Sequence, residues 1–174
     1  MKIHRILPSL LAIPAALLAL STSAAADKKG NAPEWAELFG GASLPVVWQS
    51  TAAASEKIDA ALAVKKMEGI AAWAETIHLG AHALEDQVKI PDAERAKRLQ
   101  GALGQAAKIA DDVLNAANHN EVEKAADAQR RLKAALALAK SRLPKEIIDA
   151  PKQELRFAKA SGPAHDAKGD HVKK

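Results

Sequence analysis

Between Val47 and Leu143, apolar residues return every three or four positions, and alanine supplies most of them. That interval gathers side chains on one face of a helix and does not suit the two-residue alternation of a half-buried strand. Four stretches carry it. The first, about 44–66, aligns Val47, Thr51, Ala54, Ile58, Ala61 and Leu62, with Ser43 as N-cap and Pro45 tolerated in the first turn. The second, about 70–88, aligns Ile70, Trp73 or Ala74, Ile77, Ala81, Leu84 and Val88, and stops where Pro91 disfavours helix at Ile90. The third, about 91–118, aligns Ala96, Leu99, Leu103, Ala106, Ala110, Val113 and Ala117. The fourth, about 121–143, aligns Val122, Ala126, Leu132, Leu136, Ala139 and Leu143 before Pro144. Met67-Glu68-Gly69 and Asn118-His119-Asn120 are turns.

Helices of this length on short turns must pack beside their neighbours in opposite directions. The expected fold is therefore all-α: an antiparallel up-down four-helix bundle over residues 44–143. Composition agrees. Aromatics make up 3% of the chain and tyrosine is missing, whereas sheets favour aromatic and β-branched residues. Alanine is the best helix former, and at inward positions it lets helix axes approach closely and leaves little room for a cavity. The two hairpins read as a duplication offset by 52 residues, which sets Ala54 on Ala106, Asp59 on Asp111, Leu62 on Leu114, Ala74 on Ala126 and Leu84 on Leu136.

The ends read differently. Residues 1–26 have the layout of a secretory signal: Lys2 and Arg5, then an apolar run from Ile6 to Leu20, then small residues ending in Ala24-Ala25-Ala26. The run is short for a bilayer span, which takes ~20 residues, and it holds two prolines. Cleavage before Asp27, export to the periplasm and no stable membrane span afterwards are expected. Residues 27–43 read as an irregular N-terminal arm with Trp35, Leu38 and Phe39 as an apolar anchor. Residues 144–158 read as a short C-terminal helical segment, and 159–174 as a disordered polar tail.

Several function classes are excluded or disfavoured. With no cysteine there is no disulfide, thiolate metal site, attached c-type haem or cysteine nucleophile. Loss of residues 1–26 removes Lys2 and Arg5 but no acid, lowering the formal charge from +4 to +2. The remaining charges are interspersed, so no nucleic-acid partner is expected. No nucleophile elbow or phosphate loop is present, and an enzyme is not expected. Haem would need two axial ligands facing each other inside the bundle, and Met67 lies at a turn, so no haem is expected.

One pattern carries chemistry. His78 and His82 are four residues apart, one turn apart on the same helix face. Two imidazoles so placed can chelate one Zn, Cu(II), Ni or Co ion. Glu75 lies three residues before His78, and Glu85 and Asp86 follow His82, so Glu75 and Asp86 are expected to assist. The stripe sits off the core face and is expected to look toward solvent. Residue 79 is leucine, so the HExxH motif of zinc peptidases is missing. Imidazoles bind metal only when neutral, so affinity should fall as pH drops through ~6.5. His119 reads as a polar turn residue, too far along the axis to join the pair. His165 and His171 lie in the tail.

The alanine-rich hairpins, the Met67-Glu68-Gly69 turn and the residues Ala74-Glu75 and Ala83-Leu84-Glu85 resemble, over about residues 50–143, the small metal-binding proteins of the bacterial periplasm, while His78-Leu79-Gly80-Ala81-His82-Ala83-Leu84-Glu85 resembles the His…Leu-Glu stretch of other periplasmic helical-bundle proteins. The resemblance implies an exported bundle of duplicated hairpins that binds metal. That family repeats histidines along its helices, whereas only His78 and His82 lie on a bundle helix here. The expected function is that of a metal buffer or accessory in metal homeostasis. The alternative is a module that docks a periplasmic protein through the Trp35/Phe39 arm or the Ile147–Phe157 segment.

Overall fold

The computed structural model describes residues 32–159, so the signal expected over residues 1–26 and the tail expected from residue 160 onward lie outside the described residues. Among the described residues the fold is all-helical, with six helices and no strand. They are α1 (Trp35–Phe39), α2 (Leu44–Ala63), α3 (Ile70–Gln87), α4 (Ala93–Asn118), α5 (Val122–Lys140) and α6 (Lys145–Ile148). None is long and apolar enough to cross a membrane.

The four long helices are the ones the periodicity predicts, and their ends have local causes. Ser43 is the N-cap residue of α2, with Pro45 in the first turn, but its hydroxyl turns to the Gln153 side chain instead of the helix N–H groups. Asp92 caps α4 by accepting a hydrogen bond from the Arg95 N–H at 2.6 Å, the arrangement that satisfies an orphan donor in a first turn. Gly69 introduces α3 with a φ of 84°, where any other residue would be strained.

Each long helix packs on its sequence neighbour, and α5 rests more lightly on α2. Ala54, Ile58, Ile70, Ala74, Ile77, Ala81, Leu84, Leu103, Ala106, Ala110, Val113, Leu132 and Ala139 are fully buried. Each large aliphatic among them contributes roughly 1.5–3 kcal/mol. The α2–α5 contact also carries a buried polar link. The Gln129 amide nitrogen donates to the Ser55 carbonyl, the Ser55 hydroxyl and the Asp59 carboxylate at 2.9, 3.0 and 3.1 Å. Lys133 reaches the other oxygen of Asp59 at 2.6 Å.

Two segments differ from expectation. The N-terminal arm is not irregular throughout: Trp35–Phe39 forms α1, which lies on α3 with Phe39 fully buried. Gly80 lets α2 approach α3 closely beside it, because a Cβ there would collide with the Thr51 hydroxyl, while the Phe39 ring stands at ordinary contact distance. The C-terminal segment is helical only over Lys145–Ile148. Pro151 prevents continuation, and residues 151–159 run as an extended strap across α2 and α3. Side chains hold its backbone. Gln49 donates to the Ala150 and Pro151 carbonyls and accepts from the Gln153 N–H. The Ser50 hydroxyl accepts from the Arg156 N–H, and the Thr76 hydroxyl from the Ala158 N–H. The Lys57 ammonium lies over the rings of Phe157 and Trp73.

Candidate metal centre

The amphipathic period of α3 turns Ile70, Ala74, Ile77, Ala81 and Leu84 into the core and leaves Glu75, His78, His82 and Glu85 partly covered at the helix flank. The four-residue spacing brings the two imidazoles together, with ring centroids 4.7 Å apart and planes at 70°. The pair does not stand free in solvent. The His78 side chain is only 24% exposed because it faces α4, where its Nδ1 lies 2.8 Å from Oδ1 of Asp111. The N–H direction is off the line of an aligned hydrogen bond, and Nδ1 is closed to solvent. His82 is 44% exposed, and its Nδ1 lies 3.5 Å from Oε2 of Glu85.

The acids therefore group differently from the sequence expectation. Asp86 accepts a hydrogen bond from the Trp35 indole N–H at 2.7 Å and lines a small cleft together with His82. The side chain of Glu75 is half-buried one turn before His78. Asp111 reads in the sequence as one more solvated acid beside Asp112, yet it faces His78. Only Asp112 makes an ordinary surface ion pair, with Arg131. The offset that equates Asp59 with Asp111 is the one signal that singles Asp111 out, since both acids are engaged by a helix across the interface. Among the described residues, no three His, Asp or Glu side chains converge closely enough to hold a metal between them. Any ion here would rest on the imidazole pair, with water completing its coordination.

A cleft of about 210 Å³ opens beside His82, lined by Pro33, Glu34, Trp35, Leu79 and Asp86. A larger groove of about 600 Å³ lies at the α4–α5 turn, beside His119. Its two cations are already paired, Lys124 with Glu121 and Arg131 with Asp112 and Asp127. The His119 ring bonds to the Asn115 carbonyl of its own helix, which fits the expected role of a polar turn residue. The apolar groups offered to a partner in the alternative reading are used internally. Phe39 and Ile147 are buried, Trp35 and Phe157 pack against the core, and only Leu155 is exposed.

Comparison of the chain with protein-family models, with curated proteins and with solved structures finds no match.

Proposed function

We propose that this is a periplasmic helical-bundle protein that binds one divalent transition metal, Zn, Cu, Ni or Co, through His78 and His82. It would serve as a buffer or accessory in metal homeostasis rather than as a catalyst. The observation that carries this reading is the pairing of two partly exposed imidazoles at 4.7 Å on one helix face. Borderline cations favour imidazole ligands, and a pair one helical turn apart is an open chelate. Two protein ligands give modest affinity and easy exchange, which suits a buffer better than a structural site.

The bundle in this reading is the antiparallel up-down arrangement of two duplicated hairpins. It is supported by the order in which neighbouring helices pack, by the short turns, and by the equivalent use of Asp59 and Asp111. The leader layout of residues 1–26 supports export.

Calorimetric titration of the protein with each of the four ions, repeated on His78→Ala/His82→Ala, tests the proposal. Micromolar or tighter binding of one ion per chain is expected, and the double variant should abolish it. Equal weak binding by both proteins would end the metal reading.

A further inference from the structure

We infer that Asp111 is a positioning residue that holds His78 in the Nδ1–H tautomer and thereby presents Nε2 as the metal-binding nitrogen, an inference that rests on the metal reading above and specifies its geometry. A neutral imidazole carries one proton, on either nitrogen, and the other nitrogen keeps a lone pair for a cation. The Nδ1 of His78 lies 2.8 Å from a carboxylate oxygen and is closed to water. A bare Nδ1 there would set its partial negative charge 2.8 Å from a carboxylate oxygen with no solvent to screen the two, whether or not its lone pair aims at that oxygen. The protonated nitrogen carries partial positive charge and meets the same oxygen favourably, even with the N–H off the ideal line. Asp111 thus selects the tautomer from a neighbouring helix. Glu85 stands in the same relation to Nδ1 of His82, at a looser 3.5 Å and in a more exposed setting. Both rings then offer Nε2, and a bound ion would be held by like nitrogens of two rings one turn apart and edge-on to each other. A carboxylate or carbonyl that holds the second nitrogen of a liganding histidine fixes ring orientation and raises ligand basicity.

The test uses the full chain, labelled with nitrogen-15, without metal and at a pH where both imidazoles are neutral. Long-range proton–nitrogen correlations distinguish protonated from unprotonated ring nitrogens. His78 is expected to show a protonated Nδ1 and a bare Nε2. Asp111 is 46% exposed, so Asp111→Ala should keep the fold while His78 moves toward the Nε2–H form that an unconstrained histidine favours. Asp111→Asn, whose amide oxygen still accepts, should restore the Nδ1–H form. A merely structural role for Asp111 would move none of these signals. In a parallel zinc titration, Asp111→Ala should weaken binding about 10- to 100-fold, the usual effect of removing such a partner, and Asp111→Asn should recover part of the loss. An Nε2–H ring in the unaltered protein, or a tautomer unmoved by Asp111→Ala, would overturn the inference. Absence of zinc binding with the Nδ1–H tautomer intact would instead remove the metal reading and leave the tautomer assignment standing.

Discussion

Gly80 is the residue on which the packing of α2 against α3 turns. In an exposed helix, Gly→Ala is expected to stabilise by about 1 kcal/mol. Here the added methyl would drive into the Thr51 hydroxyl, and Thr51 cannot swing freely because it bonds to the Val47 carbonyl at 2.8 Å. Gly80→Ala is therefore expected to destabilise by roughly 1–3 kcal/mol, the usual range for overpacking. Placing it in a Thr51→Ala background should recover most of that cost. Urea unfolding of the two single variants and the double variant measures the coupling, and additive effects would refute the contact. At this scale the sequence is only partly legible. The histidine pair is visible because both members lie on one helix, where spacing alone decides which side chains meet. Asp111 is not, because its meeting with His78 depends on the relative rotation and height of α3 and α4. The bond from Trp35 to Asp86 is hidden for a related reason: Trp35, Leu38 and Phe39 stand at helical spacing, but where that single turn docks leaves no mark in the chain.

Elements built on periodicity are foreseen well, and elements built on hydrogen bonds are not. The four long helices fall within a few residues of the expected ranges. Residues 144–158 are expected as a short helical segment interrupted at Pro151, because Ile147, Ile148, Leu155 and Phe157 suggest an apolar face, but the helix stops at Ile148 and does not resume over 151–159. What holds the strap instead is a set of bonds from Gln49, Ser50 and Thr76 to its backbone, and such bonds follow no interval in the chain. Most strap side chains remain exposed, so little apolar burial backs these bonds. Such a segment is expected to open independently of the helices beneath it. Thr76→Val keeps the side-chain shape and removes the acceptor for the Ala158 N–H. Loss of such a part-buried partner costs about 1–3 kcal/mol locally. Hydrogen exchange should therefore become faster at Arg156 and Ala158 by about 5- to 150-fold, the same cost read as a rate, with the core amides of α3 and α4 unchanged. Acceleration spread evenly over all helices would show the strap to be part of the global unit instead.

At the scale of the molecule, the proposed metal should report its presence through stability. An ion that binds the folded chain and not the unfolded one stabilises it by about 2.7 kcal/mol when present at a hundred times its dissociation constant. For a domain of this size each kcal/mol raises the melting temperature by roughly 2–4 °C, so a rise of about 5–10 °C is expected with zinc. The unfolded chain does not compete well, since the one-turn spacing of His78 and His82 exists only when α3 is helical. Magnesium and calcium prefer oxygen ligands and should give no comparable shift, which separates imidazole binding from general charge screening. The shift should vanish in His78→Ala/His82→Ala, and it should fade as the solution is acidified, because protonated imidazoles release the ion. Scanning calorimetry with and without each ion checks all three conditions. Equal shifts for zinc and magnesium, or a zinc shift that survives the double variant, would place the cation among the surface carboxylates and not between the two rings.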